Sequence, residues 1–351
     1  MHFFVALKKV SSGLMEIRDA LDGLVKGDDL SILQMRSVMR QVMTGRATNA
    51  QIGAFLVALR IKGESVEEIT GAAEIMRELT LRVEVDQPHL VDIVGTGGDG
   101  ANLFNVSTAA AFAAAAAGAR VAKHGNRSVS GSSGSSDVLE ALGVGLNLTS
   151  EQIAECIDRV GLGFMYAPAH HEAMKHAIGP RRELGIRSLF NILGPLTNPA
   201  LVKRQVLGVF DNALCQPVAT VLEELGSLHA LVLHSDDGLD EISVAAPTKG
   251  WEVIEGELKP FIVNPAKFGH AHPDLRGLEV DSPETSAAMI RSALKRSSHP
   301  PFRKANSMIA LNAGAAIYVS GIAPSLSEGV SLAETVIESG QALDCMHAFI
   351  S

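Results

Sequence analysis

The sequence is poor in cysteine, in large aromatic residues and in positive charge. Its 351 residues hold three cysteines, Cys156, Cys215 and Cys345, far apart and without a CxxC pair. That suggests neither a disulfide framework nor a zinc site and fits a reducing cytoplasm. One Trp and two Tyr leave few rings on which bases could stack, and a formal charge of −9 leaves no basic footprint. Nucleic acid is therefore not an expected partner. No segment reaches the ~18 strongly apolar residues of a membrane span without a charge or a turn signal, so a membrane is not expected either. The apolar run 3–7 is too short for a signal-peptide core. The twelve histidines show no metal-ligand spacing.

What is present has an ordinary folded composition, 46% hydrophobic and 20% charged, long enough for one large domain and a smaller one. Residues 1–13 read as a tail. From 14 to 80 the text is helical, with three capping boxes: Ser31 with Gln34, Thr48 with Gln51, and Ser65 with Glu68. Apolar residues follow each box at helical spacing, as in Met35, Val38, Met39 and Val42. Gly45 and Gly63 stand where helix ends are expected.

After Pro88 short apolar runs alternate with helical segments, the pattern of a mostly parallel sheet flanked by helices. Strands are predicted over 90–94, 119–122, 164–167, 206–210 and 228–234, with a hairpin over 251–263 around Gly256. Helices are predicted over 107–117, 137–142, 150–160, 212–225, 282–297, 303–320 and 331–348. The expected fold class is α/β: a small all-helical N-terminal domain, 14–86, plus a larger α/β domain, 87–351. Helices from about 181–200 are expected to join the helical domain.

Ligands of open α/β sheets bind at the carboxyl ends of strands, so the loops there carry the functional signal. The stretch "GTGGDGANLFNVST" places Gly95, Gly97 and Gly98 where amides can approach an anion, and Asn105, Ser107 and Thr108 at a helix start. The alternative is a tight strand-to-helix turn with a plain cap. Neither a Rossmann nor a Walker spacing is present. In "KHGNRSVSGSSGSSD", Lys123, His124, Asn126 and Arg127 precede serines and glycines that can wrap phosphate oxygens. The alternative there is a flexible linker. In "HSDDGLDEIS", Asp236, Asp237, Asp240 and Glu241 crowd one strand end, as a magnesium site or as a solvated acidic turn. Arg181, Arg182 and Arg187 could clamp a carboxylate or pair with Glu183 and neighbouring acids.

The stretches "GTGGDGANLFNVST", "VAKHGNRSVSG", "GSSGSSDVLEALG", "PRRELGIRSLFNILGPLTNP" and "GLDEIS", in this order and spacing, closely resemble the anthranilate phosphoribosyltransferases of the tryptophan pathway. The resemblance runs from about residue 14 to the end and includes "MRQVMTGRATNAQIGAFLVALRIKGES". It implies a nucleoside phosphorylase/phosphoribosyltransferase-like fold whose two domains form a cleft. The implied reaction moves phosphoribose from 5-phosphoribosyl 1-diphosphate (PRPP) to the amine of anthranilate, giving N-(5-phosphoribosyl)anthranilate and diphosphate. A homodimer through the helical domain is implied as well.

Carried over by position, the resemblance implies that PRPP is held by Gly95, Gly98, Asp99, Leu103, Asn105, Val106, Ser107, Thr108 and the run Lys123, His124, Gly125, Asn126, Arg127, Ser128, Val129, Ser130, Gly131, together with Ser135. It implies Mg²⁺, two ions per protomer, on Ser107, Asp240 and Glu241, and anthranilate on Gly95, Asn126 and Arg181. No acid or base residue is assigned. Gly131 stands where a serine is common in the family and Leu103 where a small hydroxyl residue is, so a side-chain bond to PRPP could be missing at each. The rival readings are a pyrimidine nucleoside phosphorylase on a related fold and a nucleic-acid-binding paralogue without activity. "KHGNR" with Asp240 and Glu241 favours the PRPP enzyme over the first, and intact loops with an acidic balance speak against the second.

Overall fold

The computed structural model describes residues 15–86, 88–128, 133–295 and 300–351. The tail at 1–13 and the candidates Val129, Ser130 and Gly131 lie outside the described residues. Two compact units emerge: residues up to Leu81 with His171–Thr197, and Arg82–His170 with Asn198–Ser351.

The first unit is helical, with α1 (Ile17–Lys26), α2 (Ile32–Met43), α3 (Asn49–Lys62) and α4 (Val66–Leu79). At Ser31, Thr48 and Ser65 the N-cap side chain and the N3 side chain bond each other's backbone amides, so each box satisfies donors that a helix start leaves open. The stripes Met35, Val38, Met39, Val42 and Ile52, Phe55, Leu56, Leu59 are almost wholly excluded from water. Packing of these stripes supplies most of the stability that short helices lack alone.

Two further helices belong to this unit, numbered α9 (Lys175–Leu184) and α10 (Leu189–Leu196) in chain order. They pack on α3 and α4 respectively. Both helices carry a proline in their interior, Pro180 and Pro195. Each loses one backbone bond, and each is buried against its neighbours, which offsets that loss.

The second unit holds β1 (Leu90–Gly95), α5 (Val106–Ala116), β2 (Arg120–Gly125), α6 (Ser135–Leu142), α7 (Ser150–Val160), β3 (Leu162–Tyr166) and the single turn α8 (Ala167–His170). After the excursion come β4 (Arg204–Gly208), α11 (Cys215–Glu224), β5 (His229–Ser235), β6 (Thr248–Ile254) and β7 (Glu257–Val263). The seven strands form one sheet in the order β3-β2-β1-β4-β5-β6-β7. The first five in that order are parallel, and β6 and β7 are antiparallel. Glu255 and Gly256, both at positive φ (51° and 79°), turn the β6/β7 hairpin as a two-residue loop requires.

Four helices close the chain: α12 (Pro283–Leu294), α13 (Pro300–Ser320), α14 (Leu326–Glu338) and α15 (Gln341–Ile350). The single helix expected over 331–348 is thus two helices, broken where Gly340 adopts φ 87°. Alanines 109–114 of α5, interrupted by Phe112, are fully buried between the sheet and α13 and α15. Small side chains there let the helix axis lie close to β1, so its N-terminus opens at the carboxyl end of the sheet. Among the described residues no helix is long and apolar enough to cross a membrane.

Candidate functional site

The glycine loop between β1 and α5 is shaped by close approach. A Cβ at Gly95 would stand 2.3 Å from Asp240 Oδ2, so only glycine lets the acidic loop after β5 reach the end of β1. Gly97, Gly98 and Gly100 all hold positive φ (67°, 80° and 76°), a backbone conformation that glycine adopts without strain. Asp240 Oδ2 accepts from the Gly97 amide at 2.6 Å, and Asp99 Oδ1 accepts from the Ala101 amide at 3.1 Å. Asn105 caps α5, its Oδ1 accepting from the Thr108 amide and hydroxyl. Val106 and Thr108 are buried, so Val106 can offer a ligand only its backbone. Leu103 packs its side chain on the core and bridges to Glu279 through its backbone.

Charge of both signs converges beside that helix start. Glu241 Oε1 accepts from the Ser107 amide at 3.1 Å, a carboxylate placed at the positive end of α5. Lys123, 2% exposed on β2, donates from Nζ to the Ile93 carbonyl at 2.6 Å and to Ser107 Oγ at 3.2 Å. Burial pulls the Lys123 ammonium below its usual range, opposed by the charges of Asp92, Glu241 and Asp240. Burial, and then Asp99, raises Asp240 to about 6. Glu241 is raised well above the ordinary glutamate range by burial, then by Asp240 and Asp99. Crowded carboxylates that resist ionising are what a cation would relieve.

The donor set fits magnesium: two carboxylates and the Ser107 hydroxyl are hard oxygen ligands, and magnesium takes few protein ligands beside phosphate and water. Among the described residues no three His, Cys, Asp or Glu side chains converge as a metal cage, which such a phosphate-dependent ion does not need. Asp236 and Asp237 are engaged elsewhere, with Lys249 at 2.8 Å and with Ser243 Oγ at 2.6 Å.

The described ends of the second loop, 123–128 and 133–137, are tied to each other and to the start of α6. Asp137, at the start of α6, accepts from the amides of Ser128 and Gly134, both at 3.0 Å. The Asn126 carbonyl accepts from the Ser136 amide and the Ser135 hydroxyl, both at 3.3 Å. A Cβ at Gly125 would lie 2.1 Å from Ser135 Oγ, which brings these two candidates together. His124 is buried and gives its amide to Asp92 Oδ1 at 3.3 Å. Arg127 turns to Glu140 and Asp137 and lies over the Tyr166 ring, with its pKa raised by those carboxylates.

In the helical unit, Arg181 lies over the Phe190 ring at 5.0 Å, and burial lowers its pKa. Among the described residues of the helical unit no carboxylate, Glu183 included, forms an ion pair with it. A surface depression of about 700 Å³, lined by Trp251 and Phe261 among others, contains none of the candidate residues.

Sequence reasoning missed the residues that hold the loops. Asn312 of α13 accepts from the Ile242 amide and donates to the Ile242 carbonyl, both at 2.9 Å, fixing the residue next to Glu241. Ser286 Oγ of α12 accepts from the Asn105 amide at 2.9 Å. Asp92, fully buried and raised to about 6 by its burial, bonds Asn198. Its one signal was an acid inside the apolar run 90–94. A Gly95→Ala substitution is expected to displace Asp240, costing about 1–3 kcal/mol of stability and most of the turnover. Thermal melts with steady-state rates check this, and unchanged turnover would remove the close approach from the site's requirements.

These features place the chain in a class. Residues 18–80 match the glycosyl transferase family, helical bundle domain, and residues 87–343 match the glycosyl transferase family, a/b domain. Over 328 residues the chain is 60% identical to the anthranilate phosphoribosyltransferase of Saccharophagus degradans, covering 93% of this chain and 96% of that one. The crystal structure of anthranilate phosphoribosyltransferase from Thermus thermophilus superposes with a TM-score of 0.88 at 41% identity, covering 95% of this chain and 98% of its own. The enzyme from Saccharomyces cerevisiae in complex with PRPP and Mg has a TM-score of 0.86 at 27% identity, covering 95% and 96%. The chain belongs to the anthranilate phosphoribosyltransferase family.

Proposed function

We infer that this enzyme transfers the phosphoribosyl group of PRPP to the amine of anthranilate in tryptophan biosynthesis, releasing diphosphate, and that it works in the cytoplasm. The observation that carries this reading is the buried Lys123 ammonium beside Ser107 at the start of α5, faced by Asp240 and Glu241. A cationic donor and an acid pair at a glycine loop suit a diphosphate that leaves as an anion-metal complex. As the C1–oxygen bond breaks, negative charge grows on the leaving group, and Lys123 with the loop backbone meets it without reorganising. Magnesium held by Ser107, Asp240 and Glu241, two ions per protomer, would supply further positive charge there.

PRPP would lie along Gly95, Gly98, Asp99, the residues from Asn105 to Thr108, and the loop from Lys123. The amine of anthranilate is neutral and nucleophilic at pH 7, so the chain needs to orient it and no strong base is required. Arg181 would take its carboxylate, with Gly95 and Asn126 against the ring. Protomers would pair through the helical unit.

The direct test follows anthranilate fluorescence with PRPP and magnesium chloride. The expected result is a loss of signal that requires PRPP, stops on chelation with EDTA and returns on adding magnesium in excess. Phosphorolysis of thymidine without PRPP-dependent consumption of anthranilate would make it a nucleoside phosphorylase instead. Salt-sensitive DNA binding without turnover would make it the nucleic-acid-binding paralogue.

A further inference from the structure

Strand β1 lies between β2 and β4, and its ladders with the two run over different stretches. Its backbone pairs with β2 only at Leu90 and Val91, opposite Arg120 and Val121, and from Asp92 to Gly95 it pairs with β4. A parallel ladder that parts in this way leaves amides and carbonyls of two strands facing a gap inside the sheet, where each needs a partner.

Side chains take over the ladder there. Lys123 Nζ donates to the Ile93 carbonyl at 2.6 Å, and Asp92 Oδ1 accepts from the His124 amide at 3.3 Å. Asn198 Nδ2 donates to Asp92 Oδ2 and to the Ala122 carbonyl, both at 2.8 Å, while its Oδ1 accepts from the Ala200 amide at 2.8 Å. Asp92 is 0% exposed and Asn198 and Lys123 are 2% exposed. Burying an acid, an amide and an ammonium is costly where a continuous ladder would need none of them. What the arrangement yields is a fixed ammonium: anchored on the Ile93 carbonyl, it points at Ser107 Oγ with Asp92 close enough to balance its charge.

We propose that Asp92 and Asn198 are positioning residues that hold the β1/β2 ladder open and aim the Lys123 ammonium at the diphosphate of PRPP, an inference that rests on reading this site as the PRPP site. Neither residue touches the substrate. Both act through Lys123, and that is what distinguishes them from ordinary core residues.

The experiment is a double-mutant cycle read by calorimetric titration of PRPP with magnesium, without anthranilate, and by steady-state KM values. Asp92→Asn is expected to weaken PRPP binding by about tenfold or more, with KM for anthranilate changed less than about twofold. Asn198→Ala is expected to act in the same direction, and serves alone if Asp92→Asn does not fold. Placed in a Lys123→Met background, either substitution is expected to weaken PRPP binding further by less than about twofold, because the group they act through is gone. Losses that multiply undiminished in that background would overturn the proposal. So would variants with lowered melting temperatures and an unchanged affinity for PRPP. Wild-type protein that fails to bind PRPP would sink the substrate assignment and this proposal together, whereas wild-type binding with multiplying losses sinks the proposal alone.

Discussion

Replacing Lys123 by Met is expected to lower turnover by about 10²–10³-fold, the effect of deleting one preorganised donor to a developing negative charge. The side chain is buried, and its Nζ is fixed by the Ile93 carbonyl and Ser107 Oγ. Methionine keeps much of the volume and removes the charge, so the loss reads electrostatics more than packing. It also leaves the Ile93 carbonyl without its donor, at a cost of about 1–3 kcal/mol in stability. Arginine is not expected to restore activity, since a planar guanidinium cannot replace a compact ammonium in a closed gap. Initial rates at saturating PRPP, with a thermal melt on the same sample, decide the matter. A folded variant within a few-fold of wild-type turnover would take Lys123 out of the chemistry.

The second large effect is expected at Arg181. Its guanidinium lies over Phe190, with burial lowering its pKa. A half-buried cation stacked on a ring, with no ion pair to an acid among the described residues of its own unit, suits the proposed anthranilate carboxylate. Arg181→Ala is expected to raise KM for anthranilate by roughly 10–10²-fold, the range for losing a charge-assisted bond, while KM for PRPP stays within about twofold. Lysine at this position should recover little of it, because the planar fork is lost. An unchanged dependence on anthranilate concentration would remove Arg181 from carboxylate recognition.

How far the sequence could be read depended on how far apart the interacting residues lie. The boxes at Ser31, Thr48 and Ser65 join residues three apart, and all of them form as expected. The hairpin at Gly256 is equally local. The break between α14 and α15 was hidden because Gly340 sits in a run of otherwise good helix formers, where one glycine is tolerated as often as not. Helical segments from about 181–200 were expected beside the helical domain, but their bounds were not legible, because Pro180 and Pro195 lie inside the helices, where their burial offsets the backbone bond each removes.

The site divides along the same line. Its loops announced themselves by composition, and the structure brings Ser107, Lys123 and Glu241 together as neighbours. Arg127, grouped with the phosphate cations by composition and by resemblance, bonds Glu140 with its guanidinium, a partner 13 residues away that no local pattern announced. Asp92 meets Asn198 across 106 residues, and Asn312 meets Ile242 across 70. A buried polar residue is conspicuous only once its distant partner is in place, so no local pattern pointed to these pairs.

The clamps from α12 and α13 also fix when the site can exist. Asn105 is held by Ser286, Phe104 gives its amide to the Leu278 carbonyl, and Ile242 is held by Asn312. A ribosome will have finished the glycine loop, the lysine strand and the acidic loop long before α13 leaves its exit tunnel. Until then the loops have their residues but lack the contacts that set their shape, and such long-range contacts are slow to form. Once Glu241 has been added the nascent chain holds every candidate site residue of its α/β unit, yet the bonds from Ser286 and Asn312 that fix the loops form only after α12 and α13 have followed.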